Sequence, residues 1–146
     1  MAEKTNGSFS DTEKAAMQQR ADEIRSTKGL KGAAKTAKEY EACVAAIEAL
    51  SDVESAIAAT LHRIVAEEAP ELAAKTFYGF PAYAKDGKVV VFYQPASKFD
   101  TRYGTISFDD PANLDDGVMW PVSYAVLEMN PEVEKRVRAL VKKAVS

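Results

Sequence analysis

The amino-acid sequence predicts an α+β domain: an antiparallel sheet of about four or five strands, covered by helices on one face, with an N-terminal helical extension. Three observations carry that expectation. Apolar residues recur at helical spacing through the first half of the chain and again at its end. Between those stretches the period changes to two, in short segments rich in aromatic and β-branched residues. Asp86-Gly87 then supplies a hairpin signal, because both residues tolerate positive φ.

Taken in order, residues 1–9 read as a loose tail. Ser10-Asp11-Thr12-Glu13 has capping-box spacing: the serine oxygen can accept from the amide three residues on, and Glu13 can reach back. The helix that follows has a thin apolar seam of Met17, Ala21 and Ile24, so it is expected to lean on the domain or on a second subunit. Lys28-Gly29-Leu30-Lys31-Gly32 breaks it. A second helical pattern places Tyr40, Cys43, Val44, Ile47 and Leu50 on one face, and the Ala/Lys-rich stretch Lys31 to Lys38 is the nearest thing to a hinge. Ser51-Asp52-Val53-Glu54 repeats the capping-box spacing and opens the cleanest helix, with Val53, Ala56, Ile57, Leu61, Ile64 and Val65 in phase; Pro70 discourages its continuation.

Thr76 to Ala84 reads as one strand, with Pro81 placing it at an edge or a bulge. Val89 to Gln94 is the return strand after Asp86-Gly87. Tyr103 to Phe108 alternates, Ile106 and Phe108 facing one way and Tyr103, Thr105 and Ser107 the other. Asp109-Asp110-Pro111 ends it and is expected to start a short helical turn through Leu114. Val122 to Met129 is the next strand, and Asn130-Pro131 starts the last helix as N-cap and first helical residue. Residues 1–50 are expected to be tail and helical extension and 51–146 the α+β domain, the two forming one compact unit.

Charge and composition exclude some functions. With Lys plus Arg at 19 and Asp plus Glu at 22, the net charge is -3, which does not favour nucleic acid. The single cysteine cannot form a disulfide within the chain. The leading segment MAEKTNGSFSDTEK lacks the apolar core of a signal peptide, and no apolar run approaches the ~20 residues of a membrane helix, so the expected location is the cytoplasm.

The chemistry-bearing residues are few. His62 is the only histidine, which rules out a histidine cage within one chain; it reads as a surface or boundary residue. Cys43, on an apolar helix face, reads as a buried, inert thiol. No phosphate loop, nucleophile elbow or Cys-x-x-Cys pair occurs, so a non-enzymatic role is favoured, with an unseen base such as a desolvated Lys98 as the enzymatic alternative. Carboxylates are the metal-ligand candidates: Glu67, Glu68 and Glu71 at a helix end, and Asp109, Asp110, Asp115 and Asp116 about a loop. The aromatic residues concentrate in the sheet region, with Lys98 and Arg102 close in sequence. Tyr78, Phe80, Tyr83, Lys98, Arg102, Tyr103 and Trp120 are therefore the candidate site, an apolar pocket with a cationic rim for a small anionic or aromatic ligand. The competing reading makes these aromatics the sheet's core and the cations its edge guard.

The run Phe77-Tyr78-Gly79-Phe80-Pro81-Ala82-Tyr83 resembles the aromatic signature of the DUF1801 or YdhG-like family, with Phe80 where the common form has Met. The segments Lys98 to Tyr103 and Asn113 to Pro121 are similar to an actinobacterial branch, and the resemblance covers about residues 51–145. It implies a helix-sheet sandwich and, because some members are called frataxin-like iron chaperones, intracellular iron handling, for which Asp115 and Asp116 are the candidate ligands. The leading expectation is a non-enzymatic small-ligand-binding or accessory protein without a resident cofactor. The alternatives are an iron-binding chaperone and a structural module forming a homodimer through the N-terminal helix.

Overall fold

The computed structural model describes residues 9–146 and shows an α+β fold; the expected tail, apart from Phe9, lies outside the described residues. Three helices come first: α1 (Asp11–Ser26), α2 (Gly32–Glu48) and α3 (Asp52–Glu68). The strands β1 (Ala73–Phe77), β2 (Phe80–Lys85), β3 (Lys88–Gln94), β4 (Gly104–Phe108) and β5 (Ser123–Val126) follow. A single-turn helix, α4 (Ala96–Phe99), separates β3 from β4, and α5 (Pro131–Ala144) ends the chain. The strands form an antiparallel meander in sequence order, so each pairs with its chain neighbours.

Local signals set several boundaries. The Ser10–Glu13 capping box closes in both directions, Glu13 N–H to Ser10 Oγ at 3.1 Å and Ser10 N–H to Glu13 Oε1 at 2.8 Å. Asn130 Oδ1 accepts from the Val133 amide at 2.8 Å, with Pro131 as the first helical residue. The box expected at Ser51 does not form: Ser51 makes no side-chain cap, and Glu54 instead accepts from the Ser97 amide at 2.9 Å and hydroxyl at 2.6 Å. A tertiary partner outcompetes the local one, and the contact ties α3 to α4. The Ala/Lys-rich stretch expected to be a hinge lies almost wholly inside α2.

The strand expected over Thr76 to Ala84 is two strands. Tyr78 and Gly79 form a tight turn with φ of 54° and 87°, joining β1 to β2 with Phe77 opposite Phe80. Pro81 lies on an interior strand, paired with Thr76, while the register with β3 runs from Ala82 onward. The missing proline N–H therefore falls outside that second ladder. A bulge at Tyr83/Ala84 brings both Val90 and Val91 into the core. The helical turn expected after Asp109 is only a reverse turn, closed by the Ala112 N–H to Asp109 carbonyl bond at 2.9 Å.

The core lies between one sheet face and the helices α2, α3 and α5. Cys43, Ile57, Leu61, Ile64, Val137 and Val141 pack with Tyr83, Val91, Tyr93, Ile106 and Phe108. Arg138 further links α5 to α3 through Glu67 and Glu68, both at 2.8 Å, and pairs within α5 with Glu134 at 3.2 Å. Two of the glutamates read as metal candidates are thereby held as partners of an arginine. No helix of the described residues is long and apolar enough to cross a membrane.

Candidate functional site

Because side chains alternate along a strand, β2 points Tyr83 into the helix-covered core and Phe80 to the opposite face. On that opposite face the rings interlock. Phe77 meets Tyr78 edge-on at 4.7 Å, and Phe80 stacks on Phe92 at 5.6 Å and meets Phe99 edge-on at 6.0 Å between centroids. Such aromatic pairs contribute on the order of 1 kcal/mol each beyond their buried area. This is an aromatic floor built from β1, β2, β3 and α4.

Helix α1 stands over the floor without sealing it. It buries no residue of its own. The apolar seam expected to dock leaves Met17 47% and Ile24 57% exposed. What holds α1 is polar. The Glu23 carboxylate, only 11% exposed, accepts from the Tyr78 amide at 3.1 Å and the Gly79 amide at 2.6 Å, and pairs with Arg20 at 3.3 Å. The Arg20 guanidinium lies over the Phe77 and Tyr78 rings at 5.4 and 6.0 Å. Tyr78 has a positive φ that a bulky residue rarely adopts, so Glu23 braces a strained turn with charge-assisted bonds. Glycine is needed beside it: at Gly79, φ is +87°, and a Cβ would come within 3.1 Å of Gln19.

Between α1 and the floor runs a groove of about 350 Å³, open to solvent along the helix. Met17 and Phe9 form one wall and Phe77, Phe80, Phe92 and Phe99 the other; Glu13, Gln94 and Tyr78 also line it and carry its polar groups. The volume lies in the range that accepts a small organic molecule.

Of the seven residues read as one site, the structure brings together Tyr78 and Phe80, whose rings stack at 6.3 Å. The others go elsewhere. Tyr83 is on the far side of the sheet. Lys98 lies beside Gln19 and Asp22, across α1 from the groove. Arg102 stacks on Tyr103 at 5.0 Å, both exposed to solvent. Trp120 packs on the core from the loop before β5. The expected cationic rim is therefore not at the aromatic floor. Asp115 and Asp116 are exposed on that same loop, and among the described residues no three His, Cys, Asp or Glu side chains gather closely enough to hold a metal.

Sequence reasoning missed a second constellation. His62 Nδ1 lies 2.9 Å from the Tyr83 hydroxyl, and the Cys43 thiol points to the same oxygen at 3.9 Å. If the thiol donates to that oxygen, the phenol proton goes to Nδ1 and the neutral imidazole carries its hydrogen on Nε2. Burial pushes the His62 imidazole below its ordinary value and the Cys43 thiol above its own. Burial, with Cys43 alongside, also raises the Tyr83 phenol. All three groups are thus neutral at neutral pH, which suits a hydrogen-bonded core and not a nucleophile. The spacing of 21 residues between His62 and Tyr83 carries no local signal.

No protein-family model, curated protein or solved structure matches this chain.

Proposed function

We propose that this is a non-enzymatic binding protein for a small apolar or aromatic ligand, held between α1 and the aromatic face of the sheet. The observation that supports it is the groove itself: about 350 Å³ of open space over rings that other elements leave partly uncovered, beside a helix none of whose own residues is buried. Filling it would remove Phe99, Phe92 and Met17 from water at roughly 25 cal/mol per Å². Glu13 at its edge favours a neutral or cationic polar group over an anionic one. Membership of the DUF1801 or YdhG-like family belongs to the same proposal and rests on the run Phe77 to Tyr83.

A thermal-shift screen of neutral and cationic aromatic compounds tests the reading. Hits should lose their shift in Met17→Ala and Phe99→Ala, and keep it in Arg102→Ala, which lies off the groove. Shifts that survive the first two substitutions would remove the proposal.

Self-association through α1 is a second reading, favoured by the exposure of Met17 and Ile24 along it. Light scattering decides it: a dimer that reverts to monomer in Ile24→Lys supports it, and a monomer at all concentrations excludes it.

A further inference from the structure

At the C-terminal end of α1 lies a cleft of opposite character. Its cationic lining is Arg20, Lys28, Lys35, Lys38 and Lys75, contributed by α1, the α1–α2 connection, α2 and β1. Against these five stand two carboxylates, Glu23 and Glu39, in a chain whose net charge is -3. Both are already engaged. Glu23 holds the β1–β2 turn and Arg20; Glu39 pairs with Lys75 at 3.6 Å. Lys28, Lys35 and Lys38 are exposed and form no ion pair among the described residues.

We propose that this cleft binds a small phosphate-bearing molecule. Three lysines without an ion-pair partner among the described residues line one concavity of about 350 Å³, Lys35 and Lys38 from one face of α2 and Lys28 from the connection before it. Like charges so placed repel one another, and a multivalent anion relieves that repulsion while gaining charge-assisted hydrogen bonds. Ammonium groups suit phosphate as point charges without demanding the fork geometry of a guanidinium. Ile24, Leu30 and Ala42 in the same lining give an apolar surface for the organic part of such a molecule. The dimensions fit a small molecule, and the acidic balance of the whole chain disfavours a polyanion that must spread beyond the cleft. The site is separate from the aromatic groove: no residue lines both, the groove lying along the N-terminal half of α1 and the cleft at its C-terminal end.

Isothermal titration of the full chain with pyrophosphate at low ionic strength tests this, with sodium sulfate as the control anion. The expected result is saturable one-to-one binding that sulfate competes for weakly. Lys35→Gln/Lys38→Gln should weaken it about tenfold or more, since each lost charge-assisted contact is worth roughly one decade in affinity. Lys142→Gln/Lys143→Gln, which removes the same charge from the exposed end of α5, should change it less than about twofold. Phe99→Ala should leave it intact, separating this site from the aromatic one. Absence of saturable binding, or equal losses in the two lysine pairs, would overturn the proposal. Both lysine pairs are exposed helical positions, and circular dichroism with thermal melting confirms that each variant is folded.

Discussion

Phe80 and Tyr83 are three residues apart on one strand, both almost fully buried, at 3% and 1% exposure, yet they belong to different kinds of structure. Tyr83 enters a face closed by three helices, where its hydroxyl finds His62 and Cys43 and its ring meets aliphatic side chains. Phe80 enters a face where other aromatic rings surround it and helix α1 is attached by a carboxylate. One face is held to its helices by apolar packing. The other is covered by a helix whose attachment is polar and whose Met17 and Ile24 remain exposed, and beneath it an aromatic-floored groove is left open.

Substitutions should separate the two faces in a definite order. Leu61→Ala, a cavity at a fully buried position of α3, should cost about 2–5 kcal/mol in urea unfolding, the largest effect. Tyr83→Phe keeps the ring but leaves the half-buried His62 Nδ1 without its partner, and should cost about 1–3 kcal/mol by the same measurement. Glu23→Gln keeps an acceptor but removes its charge; a loss of about 1 kcal/mol is expected, with faster hydrogen exchange at the Gly79 amide and little change at core amides of β3. Equal acceleration at both sites would mean that α1 is part of the core and not a separately attached wall.

The smallest effect is a pH dependence. Burial lowers the His62 value, so below about pH 6.5 the unfolded chain takes up a proton that the native state resists. Stability is then lost as pH falls through the window between the ordinary and the lowered value, and is present in full above it. The rings facing this imidazole are those of Tyr83 and Tyr40. His62→Gln should flatten the slope of unfolding free energy between pH 7.5 and 5.5, a range chosen to lie above ordinary carboxylate titration. An unchanged slope would contradict a desolvated, uncharged His62.

Features written locally were legible in the sequence. The Ser10 capping box, the Asp86-Gly87 hairpin and the Asn130-Pro131 helix start all need only neighbouring residues, and all three form. What escaped depends on distant partners. Tyr78-Gly79 is a poor turn by its own chemistry, and Glu23, 55 residues earlier, makes it hold. The second capping box fails because Ser97 offers Glu54 a better pair of donors. The aromatic cluster was visible as composition, but the unseen turn changed which rings share a face. Tyr78 and Phe80 remained together, while Tyr83, Arg102, Tyr103 and Trp120 were dispersed.

The most direct test of the groove is heteronuclear NMR during titration with N-phenyl-1-naphthylamine, a neutral aromatic probe. Saturable shift changes are expected at the amides of Tyr78, Gly79, Gln94 and Phe99 and along the Met17 face of α1, with those around His62 and Tyr40 unmoved. Changes centred on His62, or spread over the exposed Val118, Met119 and Leu127 without saturation, would contradict it.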